Sequence, residues 1–243
     1  MIFSALLLIV SIVAGAVAAI SGFGIGSLLT PVLTPHYGIK AAVTMVSVPH
    51  LVGTAARFVT MKGHVDRKVF WNFGILSVVG GLIGALLHSR ANGPALGIVF
   101  GLLLLFAGIS GVLGYAERMR FGRKSAWFAG GLSGLFGGLV GNQGGIRSAA
   151  LLGFNVSKEA FIATATAVAL IVDGARMPVY FATQPQAVTG PWKQVVLAIA
   201  GVLMGIFWGV RLLRLIPEKV FRRSVSTAIA ILGVYTLIQA AWK

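Results

Sequence analysis

The chain has 243 residues, of which 57% are hydrophobic and only 10% are charged. Because a soluble domain carries about a quarter charged residues, this composition excludes an ordinary soluble protein and indicates a helical integral membrane protein with several spans. The net charge of +15 does not indicate a nucleic-acid partner, since basic loops between membrane spans account for it and no nucleic-acid recognition module is visible.

Apolar segments follow one another along the whole chain and are separated by short loops. A transmembrane helix needs about 20 apolar residues, and most of the segments approach this length. Two of them, 22–35 and 144–154, are too short, and each follows a glycine-rich break. The segments are 2–20, 22–35, 41–60, 70–87, 94–114, 126–140, 144–154, 160–181, 194–212 and 224–242. The two short segments predict re-entrant hairpins, each with a broken helix.

The two breaks are Ile20-Ser-Gly-Phe-Gly-Ile-Gly-Ser27 and Leu139-Val-Gly-Asn-Gln-Gly-Gly-Ile-Arg147. Backbone that leaves the helix inside a membrane must be buried in protein or line a wet cavity. A helix that restarts there presents free N–H groups and a positive dipole end, to which an anion binds. We therefore expect the breaks to face each other around a small anion, with Ser27 and Asn142 capping the restarting helices or contacting the anion. The predicted substrate contacts are Gly22, Gly24, Gly26, Ser27, Gly141, Asn142, Gln143, Gly144, Gly145 and Arg147.

An internal repeat relates the two halves of the chain. Tryptophan, arginine and glycine residues recur at separations that drift from 115 to 125, which is difficult to attribute to chance. The repeat predicts two copies, 1–121 and 122–243, that form one integrated transport domain. The matches include Gly22 with Gly137, Gly26 with Gly141, Arg57 with Arg176, and Trp71 with Trp192.

The distribution of basic residues predicts how the copies are oriented. Of the 20 Lys and Arg residues, all but Arg57, Arg147 and Arg176 lie in or beside loops. Eight straight spans would divide those residues about evenly between the two sides of the membrane, whereas re-entrant hairpins at 1–36 and 125–155 place most of them on one side, as the positive-inside rule requires. We therefore predict an all-α membrane protein of two inverted repeats, each a re-entrant broken-helix hairpin plus three transmembrane helices. It would lie in the inner (plasma) membrane with both termini outside.

Five ionisable residues within the apolar segments are candidates for function. Arg147 follows the second break, and its planar guanidinium suits a sulfonate, sulfite or carboxylate group. Arg57 and Arg176 are possible gates, although snorkelling to the membrane interface explains them equally well. Asp173 is three residues before Arg176 and is expected to form a local ion pair with it, in preference to coupling transport to protons. His50 can titrate near neutral pH, but it can also be a simple hydrogen-bonded histidine.

Enzyme chemistry has little support in the sequence. The chain has no cysteine and only five acidic residues, so it has no thiolate site and no carboxylate pair inside the membrane segments. The histidines lack a metal-ligand spacing, and no nucleophile-elbow motif is present. We expect a non-enzymatic protein with no metal and no cofactor, whose partners are a small anion and the lipid bilayer.

Three motifs carry a family resemblance: Ser21-Gly-Phe-Gly-Ile-Gly-Ser-Leu-Leu-Thr-Pro31, Gly141-Asn-Gln-Gly-Gly145 and Lys62-Gly-His-Val-Asp66. In a duplicated chain of this size they resemble the TauE/SafE family of sulfite and organosulfur exporters, over the whole length. The resemblance implies export of sulfite, sulfoacetate, thiosulfate or a related anion, while the residues alone indicate only a small anion. An anion channel, proton-coupled uptake of a small sulfonate or carboxylate, and a structural membrane protein remain alternatives.

Overall fold

The computed structural model describes residues 2–115, 123–151, 154, 157–209 and 217–242, and the chain in these ranges is helical, without strands. A short 3-10 helix covers Lys62–His64, and a π-helical turn covers Gly205–Gly209. The boundary predicted near residue 121 and the loop at 210–216 lie outside the described residues. The α-helices are α1 (Ile2–Ser21), α2 (Ile25–Met61), α3 (Arg67–Arg90), α4 (Gly93–Leu113), α5 (Arg123–Val140), α6 (Gly144–Leu151), α7 (Lys158–Thr183), α8 (Gln186–Thr189), α9 (Trp192–Met204) and α10 (Glu218–Ala241).

Side chains at the loop ends set the first residues of three helices. Asp66 accepts a hydrogen bond from the Val69 N–H at the start of α3, and Asn92 accepts one from the Ala95 N–H at the start of α4. Ser157 caps α7 in the same way. Such caps satisfy N–H groups that lack a partner inside the helix. These three helices therefore begin with a side-chain cap, in contrast to α2, whose N-cap residue Gly24 offers no side-chain hydrogen bond.

The long helix α2 contains a second interruption. Its backbone leaves helical angles at Gly38, where φ is 75° and ψ is 155°. Pro35 precedes this point by three residues and removes one backbone donor from the preceding turn. The segment 25–37 is thus a short arm separate from 39–61, as the end of the predicted hairpin near residue 36 requires.

Helices from the two halves of the chain pack against each other. The main pairs are α3 with α5, α4 with α10, α3 with α7, α1 with α9, and α2 with α7. Glycines permit the closest of these contacts: a β-carbon on Gly80 or Gly84 would overlap backbone atoms of α5, and one on Gly205 would overlap backbone atoms of α1. Close helix approach through small residues is typical of membrane bundles. The core therefore runs across both halves.

In the part of the chain that the structure describes, six helices are long and apolar enough to cross a membrane. They are Ile2–Ser21, Ile25–His64, Arg67–Arg90, Gly93–Leu113, Glu159–Thr183 and Arg223–Ala241. These helices support an integral membrane protein. They differ, however, from the set of spans predicted from the sequence. The first helix, predicted as one arm of a hairpin, has the length of a full span, and Trp192–Trp208, predicted as a span, is shorter. The inverted arrangement remains a prediction.

Candidate functional site

Glycines with positive φ produce both helix breaks. After α1 ends at Ser21, Gly22 has φ 83° and Gly24 has φ 135°; after α5 ends at Val140, Gly141 has φ 72°. A residue with a β-carbon rarely adopts these angles, so glycine is required where the chain turns. The Ser21 hydroxyl supports the first turn by donating to the Val17 and Phe23 carbonyls, each at 2.8 Å.

The two breaks correspond at a separation of 119 residues, not at the 115 predicted from glycine matches. The last residues of α1 and α5, and the first residues of α2 and α6, are each 119 apart. Gly22 therefore corresponds to Gly141 and not to Gly137, which lies inside α5. The glycine matches were misleading because several glycines here serve helix packing, and only those with positive φ mark the turn. The new register agrees with the spacing of Arg57 and Arg176.

The structure brings the two breaks into direct contact. The Ser27 hydroxyl lies 3.5 Å from Asn142 Oδ1. A β-carbon on Gly26 would overlap the Gly141 carbonyl oxygen, and one on Gly144 would overlap the Phe23 side chain. Ser27 lies in the first turn of α2 and does not cap it, so the predicted capping role is wrong for this residue. Its hydroxyl joins the two breaks instead.

Both helices that restart at the breaks present free backbone donors. The first main-chain hydrogen bond of α2 runs from Leu28 N to Gly24 O, and that of α6 from Arg147 N to Gln143 O. The N–H groups of residues 25–27 and 144–146 therefore have no acceptor within their own helix. Two positive helix ends thus lie at the point where the breaks meet.

Arg147 is buried at this junction, with 1% of its surface exposed. Its Nη2 donates to the Gly22 carbonyl oxygen at 3.0 Å and so joins the second break to the first. Its Nε and Nη1 have no hydrogen-bond partner within the described part of the chain. Three nearby side-chain amide atoms also lack a hydrogen-bond partner among the described residues: Asn142 Nδ2 and both polar side-chain atoms of Gln143. Buried donors of this kind are costly unless a ligand or water satisfies them.

Arg57 approaches the same glycine from the other side of the first break. Its Nη2 donates to the Thr166 hydroxyl at 2.8 Å and lies 3.9 Å from the position of a β-carbon on Gly22. Its Nε has no partner among the described residues. Only 4% of Arg57 is exposed, so the snorkelling interpretation is wrong for this residue. Two guanidinium groups therefore converge on Gly22.

Arg176 occupies the equivalent place at the second break, but each of its three side-chain nitrogens contacts an acceptor. Its Nη1 donates to the Gly137 carbonyl at 2.7 Å, and its Nε and Nη2 contact Asp173 Oδ1 at 3.0 and 2.8 Å. Arg176 is 1% exposed and does not snorkel. It neutralises both a carboxylate and the carbonyl end of α5.

Asp173 forms the predicted ion pair with Arg176, and that prediction is confirmed. Its second oxygen, Oδ2, lies 2.7 Å from His50 Nδ1 on α2. Asp173 is fully buried, with both oxygens engaged. The contact with His50 links α2 to α7, and it could not be predicted from the sequence because the two residues are 123 positions apart.

Sequence reasoning missed three residues that support the two breaks, two at the second break and one at the first. His88 on α3 contacts the Leu139 carbonyl at 2.7 Å, and the Tyr180 hydroxyl donates to the Gly138 carbonyl. Together with Arg176 they bind three consecutive carbonyls at the end of α5. Thr166, which holds Arg57, is the third. A buried histidine or tyrosine one or two turns from a predicted helix end was the only signal available.

This arrangement presents positive charge and hydrogen-bond donors, the kinds of group that bind small anions. Its free groups are guanidinium, amide and backbone donors, while the carboxylate Asp173 is occupied. Among the described residues there is no cluster of three His, Cys, Asp or Glu side chains that could hold a metal ion. The chemistry available at the site is recognition by charge and hydrogen bonding.

Apolar helices packed through glycine, with arginines buried at two facing helix breaks, are features of a polytopic membrane protein. The chain matches the family model described as Sulfite exporter TauE/SafE over residues 7–236. It therefore belongs to the TauE/SafE family, whose members are membrane transporters and not enzymes. No curated protein and no solved structure gives a significant match to the chain.

Proposed function

We propose that this protein exports sulfite or a related small organosulfur anion from the cell, through a site at the junction of the two helix breaks. The observation that carries the proposal is the convergence of Arg57 and Arg147 on Gly22, with donors of both left unpaired. The substrate would occupy the space between these donors and the N-termini of α2 and α6. Substrate contacts would come from Gly22–Ser27 and from Gly141–Arg147.

The proposed architecture is a pair of inverted repeats around this site. Its support is an exchange of packing partners: α1 packs on α9, and α5 packs on α3. In the predicted repeat α1 is equivalent to α5, and α3 is equivalent to α9. The α1–α9 and α5–α3 contacts are therefore equivalent to each other. Inverted repeats with broken helices at their interface are a transporter design that places the substrate near the middle of the membrane.

Export is favoured energetically over uptake. With a negative cell interior, an anion leaves downhill by about 2.3 kcal/mol per charge per 100 mV. Export therefore needs no coupling ion, whereas accumulation would need one. Asp173 is the buried acid in a position to couple protons, and its two oxygens already bind Arg176 and His50. This occupancy favours a structural role for Asp173 over proton-coupled uptake.

The test is sulfite flux in proteoliposomes that contain the purified protein. We expect saturable flux, acceleration by unlabelled sulfite on the opposite side, and a response to membrane voltage. Flux without saturation and without counter-transport would identify a channel. Uphill sulfite uptake driven by an imposed pH gradient would replace export with proton-coupled import.

A further inference from the structure

Arg57 and Arg176 are the equivalent arginines at the two breaks, and they differ in whether a neighbouring carboxylate neutralises them. Arg57 lies beside Gly22, and Arg176 lies beside Gly141, 3.4 Å from the position of a β-carbon on that glycine. Three residues before Arg176 is Asp173, which neutralises it. Three residues before Arg57 is Thr54, which carries no charge. The same position therefore holds a paired cation in one copy and, as far as the described residues go, a cation without an ion pair in the other.

Arg147 is also without a carboxylate partner. It has no ion pair within the described ranges, and its one hydrogen bond is to the backbone oxygen of Gly22. Asp173 attracts it only at longer range, since both Asp173 oxygens are bound to other groups. In the register of the breaks Arg147 corresponds to Leu28, so the first copy supplies neither an equivalent charge nor a counter-ion.

The buried charges at the junction do not balance. Among the described residues, three buried guanidinium groups lie near a single carboxylate, which leaves two positive charges, and the two helix N-termini add further positive potential. Arg57 and Arg147 repel each other across the first break. An arginine does not lose its proton in a protein, so the excess charge cannot be removed by deprotonation. Buried charges are stable when they are paired, and the described residues supply no second carboxylate here, so a bound anion would provide the missing negative charge.

We infer that the site selects a small oxyanion with two negative charges over one with a single charge, because Arg57 and Arg147 together present two unneutralised guanidinium groups. This inference rests on the proposed function. One anionic oxygen would bind Arg147 Nε and Nη1, another would bind Arg57 Nε, and the Asn142 and Gln143 amides are placed to donate as well. Doubly charged sulfite and thiosulfate fit this description, whereas methanesulfonate lacks the second charge.

The experiment is equilibrium binding of radiolabelled sulfite to the purified full-length protein, at a pH above the second ionisation of sulfite. Unlabelled thiosulfate and methanesulfonate compete, and the ratio of their affinities is the readout. In the parent protein we expect both doubly charged anions to bind about tenfold or more tightly than methanesulfonate. Arg57→Gln should weaken sulfite binding by roughly a hundredfold and methanesulfonate binding by much less.

Two further variants keep the test decisive. Thr54→Asp gives Arg57 a carboxylate at the position where Arg176 has Asp173. It should therefore lower the affinity ratio even though Arg57 is retained. This variant also tests the inference if the Arg57→Gln protein does not fold. Arg90→Gln removes a positive charge from the exposed end of α3 and should leave the ratio unchanged.

The outcomes separate this inference from the proposed function. Comparable binding of all three anions to the parent, or an unchanged ratio in both Arg57→Gln and Thr54→Asp, would overturn the selectivity while leaving sulfite binding intact. Failure of the folded parent to bind any of the three anions would overturn both. A ratio that falls in Arg57→Gln and Thr54→Asp, but not in Arg90→Gln, supports the inference.

Discussion

The side chain of Phe23 lies directly against the α-carbon of Gly144, so the tip of the first helix break fits onto the first turn of α6. The atoms in contact are Cβ and Cγ of Phe23, close to its backbone, where the ring cannot swing away. Any side chain at position 144 would therefore push the two breaks apart. This contact, 121 residues apart in sequence, sets the spacing of the helix ends that form the proposed anion site.

The first prediction follows from this contact. Gly144→Ala should reduce sulfite flux and affinity because its β-carbon collides with Phe23, and Gly144→Val should reduce both further while the protein still inserts. Removing both the ring and the β-carbon in the double variant Phe23→Gly/Gly144→Ala should restore part of the loss. Flux and binding are measured on equal amounts of purified protein.

A matched control for this prediction is Gly174→Ala. Gly174 is a helical glycine of α7 with open space around it. Alanine there should leave flux unchanged and stabilise the helix slightly, by up to about 1 kcal/mol. If Gly144→Ala behaves like Gly174→Ala, contact between the breaks is not needed for transport.

The second prediction concerns orientation in the membrane. Since the chain lacks cysteine, single cysteines can be introduced without altering other thiols. Gly63→Cys and Gln186→Cys lie in equivalent exposed connections of the two copies, so inverted repeats place them on opposite sides. We expect a membrane-impermeant thiol reagent to label residue 186 in intact cells, and residue 63 only after the cytoplasmic face is exposed. Labelling of both from the same side would replace inverted repeats with eight straight spans.

Much of this fold could be predicted from the sequence because apolar length and glycine position report on local backbone. The breaks near residues 22 and 141 were visible for that reason, and so was Arg147 beside the second. Depth of burial was harder to predict. Arg57 is four residues from the end of α2, which suggests access to solvent, yet α7 covers it with Thr166. The position of a residue along a helix does not reveal which neighbour covers that face.

Contacts between distant segments could not be predicted from the sequence either. His50 and Asp173 are each ordinary buried residues until α2 and α7 pack together and bring them to 2.7 Å. The repeat register failed for a related reason: glycines that pack helices and glycines that turn the chain look identical in sequence. Backbone angles at Gly22 and Gly141 separate the two uses.

The third prediction is that Asp173 is structural. Asp173→Asn keeps the shape of the side chain but leaves Arg176 with a buried charge that is no longer paired. Breaking a buried pair in this way costs about 3–5 kcal/mol, so the melting temperature in detergent should fall clearly. Sulfite flux per folded molecule, measured at equal pH on both sides, should persist. Asp66→Asn is the control, since asparagine also caps a helix and α3 should keep its first turn.

The opposite result would assign Asp173 a role in coupling. If Asp173→Asn melts at the temperature of the parent but loses sulfite flux, the carboxylate takes part in transport directly. The proposed export without a coupling ion would then be wrong, and the pair with His50 would become the candidate proton site.

The last prediction is that Arg147 carries the greatest share of anion affinity. Its Nε and Nη1 are free, it lies at the start of α6, and its third nitrogen is fixed on Gly22. Arg147→Gln should weaken sulfite binding by about 2–5 kcal/mol, the range seen when one partner of a buried charge pair is removed. Arg176→Gln should lower the melting temperature more than the affinity, because Arg176 binds Asp173 and the Gly137 carbonyl. Calorimetric titration of sulfite into both purified variants, with Arg90→Gln as the exposed control, measures the difference. If Arg147→Gln binds sulfite as tightly as the parent does, the anion is bound elsewhere, and Arg147 serves only to join the two breaks.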